Sequence, residues 1–454
     1  MIHKFKMQDA NIVVDVGSGS VYEIDEIVYE LLECHERGML DFESDASSLF
    51  RFYQKYGEEN VESALSEVRA LISEGRLFSK EPDLTRICEK LESPIKAMCL
   101  NIAHDCNLVC KYCFASWGAF GGECSLMDEK TTKSAIDFLI KNSGSRRNLE
   151  VDFFGGEPLI NFGIIEKTVE YAKKESIKHG KLFRFTITTN GLALDEKKID
   201  FINREMSNVI LSLDGRKSVH DAMRFTKTGA GSFDIVVPKF KRLVEKRGGK
   251  NYFVRGTFTR NNLDFTKDFM EIYNLGFDRI SLEPVISKDL EYAITELDAD
   301  QICSEYEKLT ETIIALRKRG SKIDFFHFMV SINGGPCAIK RVKGCGCANE
   351  YVAITPEGDV YPCHQFVGIS EFKMGNIKEK FDKSSSIKLH NFGNPSIFTN
   401  PECGGCWAKF YCGGLCRANN WNFNNYLDSP HKLSCKLEKK RLECAFRLSA
   451  SISI

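Results

Sequence analysis

Three cysteines share one short segment in the first quarter of the chain, Cys106-Asn-Leu-Val-Cys110-Lys-Tyr-Cys113. The segment directly follows a predicted strand, so the three thiolates lie on one loop. Three ligands on a four-iron cluster leave one iron without a protein ligand; a chemical role requires that vacancy, and a fourth cysteine would close it. A zinc knuckle with a distant fourth ligand is the alternative, although zinc sites more often show paired Cys-x-x-Cys units. The loop therefore predicts a four-iron cluster with an open iron.

A second dense set of cysteines lies in the last quarter of the chain. Its most compact part is Cys403-Gly-Gly-Cys406-x5-Cys412-x3-Cys416. The full set is Cys345, Cys347, Cys363, Cys403, Cys406, Cys412, Cys416 and Cys435. Cysteines at random core positions would not bunch in this way, so the spacing predicts metal binding. Two structural zinc sites are the alternative to iron–sulfur clusters here.

The composition limits the compartment and the partners. The 454 residues include 18 cysteines, and the formal net charge is −1. Neither a long apolar segment nor a secretory signal is apparent, which predicts a cytoplasmic protein without a membrane partner. In a reducing compartment, many cysteines indicate metal binding or catalysis rather than disulfides. The near-neutral charge gives no reason to expect a nucleic-acid partner.

The elements that must position the first loop alternate between strands and helices. Apolar runs predict strands at Met98–Ala103, Leu149–Phe154, Phe183–Thr188, Val209–Leu213, Phe253–Phe258 and Ile280–Val285. Amphipathic segments between them predict helices at Glu129–Lys141, Ile164–Lys178 and Ser232–Lys246. Six strand–helix repeats favour a parallel sheet curled into an incomplete α/β barrel, a partial (β/α)6 barrel. In such folds the chemistry lies at the carboxyl ends of the strands.

The chain divides into three predicted domains. In residues 1–90, a strand pair near Asn11 and Val21 precedes helical patterns at Asp25–His35 and Asn60–Glu74, which predicts a small winged-helix-like domain. Residues 91–320 contain the strand–helix repeats. Residues 321–454 are rich in glycine, cysteine and short strands, which predicts a loop-rich region held together by metal.

The cysteine triplet is the signature of the radical SAM superfamily, which the chain resembles. The resemblance implies that the open iron binds S-adenosylmethionine (SAM) and that one electron cleaves it to a 5′-deoxyadenosyl radical. It also implies that the other strand ends contact SAM, with Glu157 of Gly155-Gly156-Glu157-Pro158 meeting the amino group and Arg224 the carboxylate. The remaining expected SAM contacts are Tyr112, Thr189, Asn190, Ser212 and Asp214.

The C-terminal cysteines resemble the SPASM extension of peptide-modifying radical SAM enzymes. That resemblance implies two auxiliary four-iron clusters, hence three clusters in all. The outer cluster would bind Cys403, Cys406, Cys412 and Cys435, and the inner cluster would bind Cys345, Cys363 and Cys416. The usual fourth inner ligand, six residues after the first, is here Tyr351. This departure favours an open inner iron that binds a substrate thiolate; Cys347 or Cys337 are the alternative fourth ligands.

The N-terminal region resembles the RiPP recognition element, which captures a leader peptide as an added strand. Across nearly its whole length the chain resembles the SCIFF (six-cysteine peptide) maturases, for example in Gly334-Gly-Pro-Cys337 and Cys363-His-Gln-Phe-Val-Gly368. The resemblance implies thioether crosslinking of a cysteine-rich precursor peptide, as in sactipeptide and ranthipeptide synthesis. An auxiliary cluster would bind the thiolate and accept an electron. A flavodoxin- or ferredoxin-type donor would supply the electron that cleaves SAM.

Two other interpretations stay open at this point. The same scaffold could form a C–C crosslink or a formylglycine residue. A different class is a non-catalytic, zinc-stapled protein that binds peptide or DNA through its winged helix. An iron–sulfur protein is brown and a zinc protein is colourless, so the colour of an anaerobic preparation separates the two classes.

Overall fold

The computed structural model describes residues 1–42, 46–81, 93–330, 344–379, 381, 383, 392 and 400–451. Cys337 and the expected boundary between residues 90 and 91 lie outside these residues. Among the described helices, none is long and apolar enough to cross a membrane.

The centre of the molecule is a run of parallel strands in which neighbours in sequence are neighbours in space. The strands are β4 (Ala97–His104), β7 (Asn148–Gly155), β8 (Leu182–Thr189), β9 (Asn208–Ser212), β11 (Phe253–Phe258) and β12 (Arg279–Pro284). Every residue of β4 is buried, as expected of a strand covered on both faces. The six predicted strands and the partial barrel are confirmed.

Helices cover the outside of these strands. They are Glu129–Asn142, Phe162–His179, Glu196–Glu205, Lys217–Met223, Phe233–Arg247, Phe265–Asn274 and Ala299–Lys318. The first begins at the N-cap Asp128, whose side chain accepts a hydrogen bond from the backbone of Thr131. Its inward face carries Ala135, Ile136 and Leu139, all fully buried. Amphipathic spacing of this kind predicted three of these helices from the sequence, at Glu129–Asn142, Phe162–His179 and Phe233–Arg247.

The sheet continues beyond the barrel into the C-terminal region. Strand β13 (Asp324–Phe325) pairs in parallel with β12, and β14 (Tyr351–Ile354) pairs in parallel with β4. Strands β15 (Asp359–Tyr361) and β16 (Gly375–Asn376) extend this edge in antiparallel fashion. The cysteine-rich region and the barrel therefore share one continuous sheet, which fixes the cysteines relative to the barrel opening.

The N-terminal region folds as a three-stranded antiparallel sheet followed by helices. Strands β1 (Ile2–Met7), β2 (Ala10–Asp15) and β3 (Val21–Ile24) lie in that order. The helices are Glu26–Glu36, Ala46–Tyr56 and Glu58–Ser73. The predicted hairpin and its two helices are confirmed; strand β1 and the helix from Ala46 were not predicted.

The expectation of a loop-rich C-terminus holds only in part. Short helices at Pro401–Gly404, Lys409–Cys412 and Arg417–Asn424 fit it, but the described region ends in a long helix, Lys432–Ala450. The prediction missed this helix because charged residues dilute its apolar face. That face, with Leu437, Ala445 and Phe446, packs against β2, β3 and the helix Ala299–Lys318. The helix thus joins the N-terminal sheet to the barrel.

Candidate active site and cysteine clusters

The cysteine triplet lies where β4 ends. Strand β5 (Leu108–Cys110) pairs antiparallel with β10 (Arg224–Thr226), so that Cys110 lies opposite Arg224. The Cys106 sulfur accepts hydrogen bonds from the backbone of Leu108, at 3.5 Å, and from the side chain of Asn190, at 3.6 Å. Two separate strand ends therefore hold the first cysteine in place.

The three sulfurs face a cavity of about 240 Å³ at the carboxyl ends of the barrel strands. Burial raises the pKa of Cys106 to about 12 and that of Cys110 to about 11, although Arg224 opposes the shift at Cys110. Three thiolates close together, one buried and two half-buried, are unfavourable without a positive partner, since each repels the others. Iron supplies that positive charge, so the donor set and its burial fit an iron–sulfur cluster.

A pair of glycines brings the backbone of β7 against the segment that leads into the triplet. Gly155 has φ +127°, and a Cβ atom there would lie 2.3 Å from the carbonyl oxygen of Ala103. A Cβ atom at Gly156 would lie 2.3 Å from the carbonyl oxygen of Asp105. The amide of Gly156 bonds to Ala103, at 2.8 Å, and that of Glu157 to Asp105, at 2.9 Å. Only residues without side chains allow this approach.

Glu157 is fully buried at the wall of the same cavity. Its carboxylate accepts hydrogen bonds from the backbone of Leu159 (3.0 Å), the hydroxyl of Thr189 (2.7 Å) and the backbone of Asn190 (2.8 Å). Burial raises its pKa to about 7, and the three hydrogen bonds only partly oppose this shift. A buried carboxylate of this kind gains most from an amino group, which restores a charge-assisted hydrogen bond.

Asp214 lies behind the cavity wall rather than on it. It is fully buried and accepts hydrogen bonds from the Tyr112 hydroxyl, from Arg224 Nε at 3.0 Å and from the backbone of Thr257 at 3.0 Å. The Arg224 guanidinium lies 5.2 Å from the centre of the Tyr112 ring. Asp214 therefore holds Arg224 and Tyr112 in place. The other expected SAM contacts line the cavity: Tyr112, Gly155, Gly156, Glu157, Thr189, Asn190, Ser212 and Arg224.

Several cavity residues were not predicted. Arg255 and Glu283, on β11 and β12, form an ion pair of 2.7 Å and line the same cavity as the triplet. His364, Gln365 and Asn422 enter the cavity wall from the C-terminal region. Polar residues within predicted barrel strands were a usable signal for the first two. The sequence contained no comparable signal for the last three, because it did not show that this region folds over the barrel opening.

One hydrogen bond and two aromatic contacts hold His364 at the cavity wall. Its Nδ1 atom lies 3.3 Å from the Tyr351 hydroxyl, and its ring packs against Phe154 and Phe114 at centroid distances of 5.0 and 5.8 Å. Burial lowers its pKa to about 4. It is thus a hydrogen-bonded, half-buried histidine that also lines the cavity.

The expected outer cysteine group is brought together in the structure. Cys403, Cys406, Cys412 and Cys435 line one cavity of about 430 Å³ between the short C-terminal helices and the long final helix. Burial raises the pKa of Cys403 to about 11, and Cys435 and Cys406 raise it further. As at the triplet, a set of half-buried thiols at one cavity fits a cluster that supplies positive charge.

The expected inner group is assembled from three separate segments. Cys345 lies before β14, Cys363 follows β15, and Cys416 is the N-cap of the helix Arg417–Asn424. Both Cys345 and Cys363 raise the pKa of Cys416, which burial brings to about 12. A hydrogen bond from Cys347 lowers the pKa of Cys345 to about 6. Cys347, expected as an alternative fourth ligand, therefore lies beside Cys345.

Known protein families match both the barrel and the C-terminal cysteine-rich region. The radical SAM superfamily matches residues 100–282, and the SPASM iron–sulfur cluster-binding domain matches residues 345–407. The chain has a radical SAM domain followed by a SPASM domain. Domains of these types bind [4Fe–4S] clusters, and the radical SAM domain also binds SAM.

Three similar proteins show how far the likeness extends. TigE, a radical SAM cyclopropyl synthase of Paramaledivibacter caminithermalis, is 23% identical over 88% of this chain and 84% of its own. A cysteine-type anaerobic sulfatase-maturating enzyme of Clostridium novyi is 26% identical over 71% of this chain and 87% of its own. The solved structure of anSMEcpe with bound AdoMet and the Cp18Cys peptide has a TM-score of 0.65 at 21% identity, over 80% of this chain and 100% of that one.

Proposed function

We propose that this chain is a SCIFF-type maturase, a radical SAM enzyme that installs thioether crosslinks in a cysteine-rich precursor peptide. The observation that carries the proposal is the shared cavity. The cysteine triplet and Glu157 line this cavity together with His364, which directly follows Cys363 of the inner group. A peptide residue held in this cavity lies between the SAM-cleaving site and an auxiliary cluster. Crosslinking needs both, one to remove a hydrogen atom and the other to accept an electron.

The chain's own residues orient SAM in this proposal. Glu157 binds the amino group of its methionine part, and Arg224, held by Asp214, pairs with the carboxylate. Thr189, Asn190 and Ser212 contact the ribose and methionine. With its cluster in place, the triplet site supplies the 5′-deoxyadenosyl radical that removes a hydrogen atom from the peptide.

The hydrogen and electron balance explains the need for a SPASM domain. A thioether formed from a thiol and a C–H bond loses two hydrogen atoms. One becomes part of 5′-deoxyadenosine, and the other leaves as a proton from the thiol and an electron. The auxiliary clusters supply the electron acceptor, and an external flavodoxin- or ferredoxin-type protein supplies the electron that starts each SAM cleavage.

The N-terminal sheet is the proposed site for the leader segment of the precursor. Among the described strands, β3 pairs only with β2, so its outer edge can accept an extended peptide as an added strand. One face of the sheet packs on the N-terminal helices through Ile2 and Val13, and the other packs on the main core through Phe5 and Ile12. With both faces covered, the edge is the part of this sheet that offers backbone hydrogen bonds to a partner.

The decisive experiment is an anaerobic reaction with the cysteine-rich peptide encoded next to this protein's gene. The expected product has lost two hydrogen atoms and one free thiol per crosslink, seen by tandem mass spectrometry with and without thiol alkylation. Cys113→Ala is the control and should leave the peptide unchanged. An unmodified peptide mass with active wild-type enzyme contradicts the proposal, and loss of hydrogen without loss of free thiol indicates a C–C crosslink.

Formylglycine formation is the second candidate, favoured by the similarity to the sulfatase-maturating enzyme. Conversion of a cysteine to formylglycine removes its sulfur atom, whereas a thioether keeps it. The same mass spectra therefore separate the two reactions. A leader-binding sheet at the N-terminus favours the thioether reaction.

A further inference from the structure

The loop before β14 folds back in a single tight turn around Gly346. The Gly346 carbonyl oxygen accepts the backbone N–H groups of Asn349, Glu350 and Tyr351 at 2.9, 2.7 and 3.0 Å. Gly346 has φ +76°, which a glycine adopts without strain. The turn brings the backbone of Cys347 beside that of Tyr351, where the two form an isolated β-bridge. Residue 347 therefore occupies the neighbourhood of residue 351 despite the four-residue separation.

Tyr351 occupies the position of the fourth inner cysteine in the complete SPASM pattern. Its side chain contacts other residues instead. The hydroxyl lies 3.3 Å from Nδ1 of His364 and also hydrogen-bonds with the thiol of Cys99, on β4. Cys99 lies on a barrel strand, and His364 follows the inner cysteine Cys363 and lines the cavity. The tyrosine side chain is therefore engaged by these two residues, and the ligand position that it replaces is left to another residue.

Cys347 has the contacts that such a residue requires. Its side chain is buried, and its thiol is close enough to the thiols of Cys345 and Cys363, two of the expected inner ligands, to interact with both. Cys416, the third expected ligand, interacts electrostatically with these same two cysteines. Four cysteines thus form one group, which is the number of thiolates that closes a four-iron cluster.

We infer that Cys347 is the fourth protein ligand of the inner auxiliary cluster, so that this cluster has no open iron. The inference rests on the SPASM assignment and goes beyond the proposed crosslinking reaction. A buried free thiol is the ordinary alternative for a lone cysteine. It does not account for a thiol placed beside two expected ligand thiols, on a residue whose backbone pairs with that of Tyr351 at the usual ligand position.

The charge of the surroundings supports a cluster with four thiolates. The Arg417 guanidinium, on the first residue of the helix after Cys416, interacts electrostatically with both Cys345 and Cys347. A fourth thiolate makes the cluster more negative, and a nearby guanidinium offsets part of that charge.

A closed inner cluster changes how the enzyme handles the substrate cysteine. The substrate thiolate then forms no bond to an inner iron before crosslinking, and the inner cluster serves only as an electron acceptor. This differs from the open inner site that Tyr351 alone would predict. The consequence rests on the proposed function, whereas the ligand assignment does not.

The test uses the full-length chain with Cys106, Cys110 and Cys113 all changed to alanine, so that only the auxiliary clusters remain. Imidazole serves as the probe, because it binds an open iron and its nitrogen coupling is visible by pulsed EPR of the reduced protein. The wild-type auxiliary clusters should show no such coupling. Cys347→Ala should gain the coupling, or lose one cluster so that iron falls from about eight to about four atoms per chain.

Two further variants keep the result interpretable if Cys347→Ala folds poorly. Cys347→Ser can retain an oxygen ligand, so it should keep its iron but change the EPR spectrum of one cluster. Cys444→Ala removes a fully buried thiol on the long C-terminal helix, outside either group, and should leave both iron content and spectrum unchanged.

Three results would overturn the inference. They are nitrogen coupling in the wild-type auxiliary clusters, an unchanged spectrum and iron content in both Cys347 variants, and coupling that appears in Cys337→Ala but not in Cys347→Ala. No peptide is needed for these measurements. A failure here is therefore distinguishable from a failure of the thioether proposal, which the peptide mass alone decides.

Discussion

The triplet site and the inner cysteine group both bring cysteines together, but the separation of these cysteines along the sequence differs. Cys106, Cys110 and Cys113 lie within eight residues on one loop, and the backbone of the adjacent strand end fixes that loop. The inner group combines cysteines from three segments. The segment with Cys345 leads into β14, and the parallel pairing of β14 with β4 holds that segment at the barrel. A local site reveals its ligands through spacing alone. The ligands of a site assembled from distant segments can be recognised only when the pairing of the strands is known.

The most direct test of whether the two sites have separate functions is to remove one cysteine from each. Cys110→Ala should reduce SAM cleavage to background, because the triplet has no spare ligand for its cluster. Cys416→Ala should retain most SAM cleavage but lose most peptide modification, because it alters only an auxiliary cluster. Production of 5′-deoxyadenosine and of modified peptide, measured by liquid chromatography in the same reaction, gives both values.

The result for Cys416 has an informative alternative. If Cys416→Ala abolished 5′-deoxyadenosine production as completely as Cys110→Ala, the two sites would not be functionally separate. Iron content distinguishes this result from misfolding, because a folded Cys416 variant keeps the iron of the triplet and of the outer group.

A smaller effect is expected from glycines that support the two sites. At Gly155, a Cβ atom would collide with the backbone oxygen of Ala103 at 2.3 Å, and φ +127° adds a strain of about 1–3 kcal/mol. Gly155→Ala should therefore lower the melting temperature by several degrees and reduce SAM binding. At Gly346, φ is +76°, so alanine is strained there too, but a Cβ atom would come no closer than 3.0 Å to the Glu350 side chain and 3.7 Å to its backbone nitrogen. Gly346→Ala should therefore be milder and should leave SAM binding intact.

Gly163→Ala is the matched control for both glycine variants. No atom lies within 4 Å of a Cβ placed there, and the residue lies in the first turn of the helix Phe162–His179. The melting temperature of this variant should equal or exceed that of the wild type, since alanine favours helices over glycine. Differential scanning calorimetry on the anaerobic proteins gives the comparison. Equal losses in Gly155→Ala and Gly346→Ala would show that the two loops are equally constrained.

The barrel could be predicted from the sequence because its signals are local. Each strand is a short apolar run whose bounds come from its own residues, and the predicted Phe253–Phe258 coincides with β11. Strand β1 was missed because its polar positions, such as His3 and Lys4, hide the alternation. The parallel pairing of β14 with β4 joins residues about 250 positions apart, which no local pattern encodes.

The same distinction between local and long-range signals applies to the candidate site. Spacing predicted the triplet, and the family resemblances predicted the outer group and Glu157; the structure brings the triplet and Glu157 to one cavity and the outer four cysteines to another. Asp214 was expected to contact SAM, but its oxygens are already used by Tyr112, Arg224 and Thr257. Which side of a strand end faces the cavity depends on packing across several strands. The sequence alone does not contain that information in readable form.

The smallest expected effect is a pH dependence of SAM binding that belongs to Glu157. Burial raises its pKa to about 7, above the usual carboxyl range, so the SAM-free protein takes up a proton there as the pH falls from 8 to 6. The neutral carboxyl binds an amino group less well than the carboxylate does. Affinity should therefore be lost on the acid side and fully present above about pH 8. The ionised fraction falls roughly tenfold over this range, and the dissociation constant should rise by about the same factor.

Glu157→Gln separates this effect from the titration of SAM itself. The amide keeps the size of the side chain but cannot ionise, so any pH dependence that remains in the variant comes from the ligand or from other groups. Equilibrium dialysis of labelled SAM at pH 6, 7 and 8 measures both proteins. If wild type and variant weaken by the same factor between pH 8 and pH 6, Glu157 does not bind the amino group in its ionised form. In that case the triplet site would depend, like the inner group, on residues that its own motifs do not reveal.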